Sequence, residues 1–243
     1  LTGKRILLTR SRNESLAERL KDLGATIREV PSIRIEGPLD PGALDDALGR
    51  ASSFDWIAFT SRNAVSAVSG RWASLAGLRI ASVGPSTSAE ILDLLGRPPD
   101  LEPSEDFRAE GLVEAFAGAG VGRQRVLVPA SDRARTTLPE GLRALGAHVE
   151  VVVAYRTVIP EGLAEAFDQA FAAGVDLVAL LSPSAVEGFK AARERGSVPV
   201  AVLGIVTARA AQEAGLDVRV VANPSTLDGL VDGIRAFFGA ERG

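Results

Sequence analysis

In one stretch of this 243-residue chain, "AFTSRNAV" at 58–65, hydroxyls, an amide and a guanidinium gather into one turn, and a similar string, "ALLSPSAV", returns at 179–186. Each begins as an apolar run and breaks into polar residues, as a buried strand does where it gives way to a helix. The first turn supplies Thr60, Ser61, Arg62 and Asn63; the second supplies Ser182 and Ser184. Related turns carry Thr9, Arg10 and Ser11, then Gly84, Ser86, Thr87 and Ser88, then Ser131 and Arg133. The last two hold Gly204 and Thr207, and Asn223, Ser225 and Thr226. Taken singly, each hydroxyl is explained as a helix N-cap contributing about 1 kcal/mol. Together they describe two rims of free backbone N–H groups and hydroxyls at the positive ends of helix dipoles, a receptor for carboxylates or phosphates.

Other chemistries are poorly provided for. Cysteine is absent, which removes disulfides, thiolate nucleophiles and cysteine metal sites together. The single histidine, His148, lies in "LGAHVEV" just before a strand, at the end away from the polar turns, and is expected to be a solvated surface residue. A Ser-His-Asp relay therefore has no base. Asp55 and Asp176 hold matching places in "FDWIAF" and "VDLVAL", but both precede their strands and read as structural turn residues. No acidic cluster falls on the rims, so a metal-dependent mechanism is not expected. Neither G-x-G-x-x-G nor G-x-x-x-x-G-K-[ST] occurs, which leaves the common nucleotide cradles unsupported.

Tyr155 is the only tyrosine, in "AYRT". It reads either as a strand residue packed with its hydroxyl bonded or as a donor to a departing oxygen. With an ordinary pKa near ~10, a phenol gives a proton far better than it takes one at neutral pH.

Composition sets the remaining bounds. Lys and Arg number 27 against 31 Asp and Glu, a net charge of -4, which gives no bulk basic footprint for nucleic acid. No apolar run reaches the length of a membrane span and no secretory pattern opens the chain, so a cytoplasmic protein is expected. The sequence contains no methionine, so the initiator is expected to precede Leu1, with room for a few further residues.

The elements that must position these turns repeat. Leu8 answers Val128, Gly24 answers Gly146, Ser61 answers Ser182, Gly84 answers Gly204 and Thr87 answers Thr207, each pair 120 to 122 residues apart. Such a constant offset marks a duplication. The first copy offers "RILLT", "TIREV", "WIAFT", "RIASV" and a weak "DLEPS" as strands; the second offers "RVLVP", "HVEVVVAY", "LVALLS", "VAVLG" and "VRVVA". Amphipathic stretches such as "ESLAERLKDLG" and "LPEGLRALG", each closed by a glycine, lie between them. Alternating strands and helices predict an α/β fold of doubly wound parallel sheets, five strands to a unit.

Two chain paths remain open on these grounds. A cut at "GAGVG", 118–122, gives two tandem domains. Alternatively, "VPSIRIEGP" at 30–38 and "VVVAYRTVIP" at 151–160 are both crossings, and the domains are interleaved.

The assembled strings resemble the uroporphyrinogen-III synthase family over almost the whole chain. The resemblance is carried by "ILLTR", "FTSRNAV", "VGPSTSAEILDLLG", "VLVPASDRARTTLPEGLRALGAHVEVVVAYRT", "LLSPSAVEGF" and "LGIVTARAAQEAGL" in that order. It implies two flavodoxin-like domains joined by a two-stranded β connector, a bilobal and interleaved arrangement. On that reading 1–32 and 160–243 form one domain, 38–152 the other, and 33–37 with 153–159 the connector. It also implies a monomeric, cofactor-free lyase that closes the linear tetrapyrrole polycarboxylate hydroxymethylbilane to uroporphyrinogen III. Ring D is inverted through a spiro intermediate and water is lost.

By residue match, Tyr155 takes the place of the family tyrosine that assists departure of the hydroxyl. Thr60, Ser61, Asn63, Thr87, Ser182 and Thr207 match substrate-side motif positions. Arg10, Arg62, Gly84, Ser86, Ser131, Arg133 and Ser184 complete the expected binding set. The chain departs from the family pattern at Ser131 and Asp132, where glycine is common, and at Ile205 and Val206, where a proline and a polar residue are frequent. The competing reading is a non-catalytic bilobal sensor for a small anion; a nucleotide-sugar transferase would need a metal-binding carboxylate pair that the rims lack.

Overall fold

The computed structural model describes residues 1–9, 14–192 and 198–240. In chain order the elements are β1 (Arg5–Leu8), α1 (Glu14–Asp22), β2 (Thr26–Glu29), β3 (Arg34–Glu36), α2 (Pro41–Gly49), β4 (Trp56–Phe59), α3 (Arg62–Val68) and α4 (Trp72–Leu75). They continue with β5 (Arg79–Ser82), α5 (Pro85–Leu95), α6 (Ala109–Ala119), β6 (Arg125–Ser131), α7 (Thr137–Ala144), β7 (His148–Val158) and α8 (Leu163–Ala172). The last are β8 (Leu177–Leu180), α9 (Pro183–Ala192), β9 (Val200–Val202), α10 (Ile205–Glu213), β10 (Val218–Val221) and α11 (Leu227–Ala240).

These elements form two compact units, one of residues 1–34 and 158–243, the other of residues 35–157. The sheet of the first unit runs β10-β9-β8-β1-β2. Its registered pairs are all parallel. Read from β2, this is the flavodoxin-like order 2-1-3-4-5, whose ligands bind beyond the strand ends at the point where strand order reverses. Here that point lies between β1 and β8.

The sheet of the second unit runs β3-β7-β6-β4-β5. From β7 to β5 it repeats the same order, with its reversal between β6 and β4. The weak strand expected at "DLEPS" is reduced to one parallel bridge, Ala81 to Leu101, beside β5. β3 takes the opposite edge, where Arg156 donates to the Gly37 carbonyl at 3.1 Å and pairs with Glu36 at 2.9 Å.

Burial explains the strand sequences. β4 and β8 are buried at every residue, because helices cover both faces of their sheets. At the edge, β2 buries none of its four residues fully, which accounts for the polar alternation of "TIRE". In the first unit α1 and α11 press Leu16, Leu20, Leu230, Ile234 and Phe238 onto one face. On the other face Phe167, Phe189, Ala208 and Ala211 pack from α8, α9 and α10. The second unit is layered likewise, with Leu44, Leu48, Val65 and Ile91 on one face and Leu112, Phe116, Leu138 and Leu142 on the other. The duplication reaches individual hydrogen bonds: Ala25 N–H reaches the Leu20 carbonyl at 3.0 Å and Ala147 N–H the Leu142 carbonyl at 3.1 Å, each just past a left-handed glycine.

Candidate active site

In the second unit two of the polar turns meet at Tyr155. β4 ends at Phe59, and Ser61 caps α3 by accepting the Ala64 N–H at 3.2 Å. The Tyr155 hydroxyl lies 2.9 Å from the same Ser61 oxygen. The ring of Tyr155 packs in the core against the face carrying Phe59 and Val65, and the residue is only 8% exposed. Strand register fixes this meeting, since Tyr155 pairs with Ser131 across β6 and β7 after an irregularity at Ala130. The Tyr155 carbonyl accepts the Asp132 N–H at 3.1 Å, which ties the β6–α7 turn to the tyrosine. Within that turn Ser131 Oγ donates to Asp132 at 3.0 Å and accepts the Arg133 N–H at 3.2 Å.

Thr60 and Arg62 are half-buried beside Ser61, and Asn63 is exposed. Gly84 opens α5, Ser86 is exposed, and Thr87 is 4% exposed. The structure thus brings Tyr155, Ser61 and Ser131 into one connected group and leaves Gly84, Ser86 and Thr87 on the neighbouring turn.

The first unit repeats the devices without a tyrosine. Ser182 Oγ accepts the Ala185 N–H at 3.2 Å and lies 3.1 Å from the Ser184 hydroxyl. Thr207, 5% exposed, occupies the third position of α10 as Thr87 does in α5. Neither threonine hydroxyl has a hydrogen-bond partner among the described residues. Arg10 lies outside the described residues. Behind this rim Thr9 donates to the Ala179 carbonyl at 2.8 Å, and Ser32 reaches the Ala185 carbonyl at 3.1 Å; both are buried structural hydroxyls.

Phe107, Ile205 and Val206 are not among the expected site residues, yet they stand exposed on the rims, Ile205 at 76%. Their signal in the sequence is apolar residues next to Gly204 and in a polar loop, where solvated side chains are expected. Among the described residues no three His, Cys, Asp or Glu side chains are grouped to hold a metal ion. The rims therefore offer hydroxyls, helix N-termini, Arg62, Arg133 and one hydrogen-bonded phenol, groups whose chemistry suits anions and proton donation.

A family model described as Uroporphyrinogen-III synthase HemD matches residues 14–232. The chain belongs to the uroporphyrinogen-III synthase family. A uroporphyrinogen-III synthase of Synechococcus elongatus is 34% identical to it, covering 95% of this chain and 94% of that protein. A crystal structure of a mutant uroporphyrinogen III synthase from Thermus thermophilus aligns over 98% of this chain and all of its own, with a TM-score of 0.67 at 19% identity. The uroporphyrinogen-III synthetase structure from Helicobacter pylori aligns over 96% of this chain and 99% of its own, with a TM-score of 0.65 at 15% identity. The two structures establish a shared fold. For this member of the uroporphyrinogen-III synthase family, α/β architecture with two sheets is thereby settled, and no described helix is long and apolar enough to cross a membrane.

Proposed function

We propose that the chain is a lyase that closes hydroxymethylbilane to uroporphyrinogen III, inverting ring D and releasing water. The observation that carries this reading is the family match across residues 14–232. The chemistry of the rims agrees with it, because the carboxylates of a linear tetrapyrrole can be held by N–H and O–H donors at helix N-termini.

The first step breaks the carbon–oxygen bond of the terminal hydroxymethyl group. Tyr155 assists by donating its phenolic hydrogen to the departing oxygen, which leaves as water while an azafulvene forms. Ser61 is suited to support this step. Its oxygen accepts the Ala64 N–H, and its own hydrogen can point to the Tyr155 oxygen, leaving the phenol proton for the substrate. The substituted α-carbon of ring D then attacks the azafulvene carbon, giving a spiro intermediate. Fragmentation of that intermediate and reclosure in the inverted sense give the product once the newly bonded ring D carbon loses its proton, which restores the Tyr155 phenol. Uncatalysed closure gives the uninverted type I isomer, so the protein's main contribution is orientation.

Thr60, Ser61, Arg62, Asn63, Gly84, Ser86, Thr87, Ser131 and Arg133, with Arg10, Ser182, Ser184 and Thr207, are assigned to the substrate's carboxylates. A monomer in the cytoplasm, using no cofactor, belongs to the same reading and rests on the family resemblance. Freshly generated hydroxymethylbilane supplies the test. Oxidised product from the enzyme reaction should be dominated by type III uroporphyrin; a type III to type I ratio equal to the protein-free control rejects the proposal.

A further inference from the structure

The two units treat one arginine differently. In the first unit Arg5 starts β1, and Asp176 accepts its backbone N–H at 2.7 Å and its guanidinium at 3.1 and 2.8 Å. In the second unit Arg125 starts β6, and Asp55, the counterpart of Asp176, accepts its backbone N–H at 2.8 Å. The side chain does not follow. Its guanidinium lies 5.3 Å above the Phe54 ring and makes no ion pair among the described residues.

Two neighbouring substitutions within the repeat account for this. The guanidinium of Arg5 rests where a side chain on Gly174 would be, since a Cβ there would lie 1.9 Å from Nη1. The corresponding residue of the second unit is Ser53, whose hydroxyl oxygen is buried and unbonded. Beside it Phe54 replaces Val175 and offers an aromatic face to the displaced cation.

The displaced Arg125 lines a groove of about 610 Å³ with Phe54, Arg143, His148, Val149 and Glu150, at the end of the sheet where β6 and β7 begin. This end is opposite to that of Ser61 and Tyr155. Arg143 donates one N–H to the Val149 carbonyl at 3.1 Å and likewise has no carboxylate partner among the described residues. The one carboxylate of the groove, Glu150, is already held by both terminal nitrogens of Arg50, at 3.2 and 2.7 Å. Two guanidiniums without counter-ions therefore face one hollow, and a guanidinium fork matches the paired oxygens of a carboxylate or a phosphoryl group.

We propose that this groove is a binding site for a small oxyanion ligand, distinct from the rim site, with Arg125 and Arg143 as its anion-holding residues. Pyrophosphate and tricarballylate are the probes, titrated calorimetrically at low ionic strength and followed by shifts of the His148–Glu150 amides. At least one probe should perturb those amides and bind the wild-type chain; pyrophosphate alone marks a phosphoryl ligand, tricarballylate alone a carboxylate. Arg125→Gln with Arg143→Gln should weaken that binding about tenfold or more, the scale of losing one to two charge-assisted hydrogen bonds. Ser53→Gly with Phe54→Val supplies a charge-conserving control: with both side chains gone, Arg125 can pair with Asp55 as Arg5 does with Asp176, and binding should again fall. The proposal is overturned if neither probe shifts the His148–Glu150 amides, or if the folded double arginine variant binds as tightly as the wild type.

Discussion

Tyr155 holds its place through three neighbours, and each predicts a different consequence of mutation. Its hydroxyl meets Ser61, its carbonyl meets the Asp132 N–H, and its ring is packed among core residues. Tyr155→Phe keeps the ring and the carbonyl contact, so the fold should survive while turnover falls more than product affinity. Steady-state rates beside product titration will show this, and unchanged turnover removes the phenol from the mechanism. Ser61→Ala removes a helix cap and the partner of the phenol at once. It should lower stability by about 1 kcal/mol in urea unfolding and reduce turnover as well; Ser182→Ala removes the equivalent cap and its Ser184 contact, so it should show the same stability loss. The sequence singled out both serines by their place after apolar runs. It left Tyr155 between two readings, because the ring is core and the hydroxyl is bonded to a residue 94 positions away.

The helices sit close to their loops through a pair of glycines that the repeat preserves. A Cβ on Gly111 in α6 would lie 2.0 Å from the Asp106 carbonyl oxygen, and one on Gly229 in α11 would lie 2.1 Å from that of Pro224. Gly111→Ala should therefore destabilise by roughly 1–3 kcal/mol, as overpacking does. By contrast Gly118→Ala, on the same helix with nothing near its Cβ position, should stabilise by up to about 1 kcal/mol. Thermal unfolding of the two variants makes the comparison.

The tie between β1 and β8 predicts a pH dependence. Hydrogen bonding from the Arg5 side chain, reinforced by its backbone N–H and charge, holds the Asp176 carboxyl below the ordinary aspartate value. A depressed folded-state pKa stabilises the native form above the unfolded pKa, near ~3.9, and that contribution fades as pH falls through the lower folded value. Asp176→Asn should accordingly lose stability relative to wild type at pH 6, and the gap should narrow as unfolding is measured towards pH 2.

Taken whole, the chain builds its first unit from its two ends. β1 pairs with β2 on one side and β8 on the other, so residues 158–243 alone lack the strand that joins them to β2. A fragment spanning 158–243 should remain largely unfolded by circular dichroism and regain structure when the 1–34 peptide is added, whereas 35–157 should fold unaided. A folded 158–243 fragment would contradict the dependence on β1.

The sequence by itself determined the alternation of strands and helices, the duplication, the polar strand ends and the family, because these are written in local periodicity, turn chemistry and motif order. It left the chain path open, since apolar strands of equal character can pair in more than one order. Only the tertiary structure decided which strands became neighbours, and with them that Ser61 would meet Tyr155 and that Arg125 would part from Asp55. Such contacts depend on register between distant segments and on what fills the adjoining space. Two local changes within the repeat, Ser53 where the first unit has Gly174 and Phe54 where it has Val175, accompany the different outcome without disturbing any pattern along the chain.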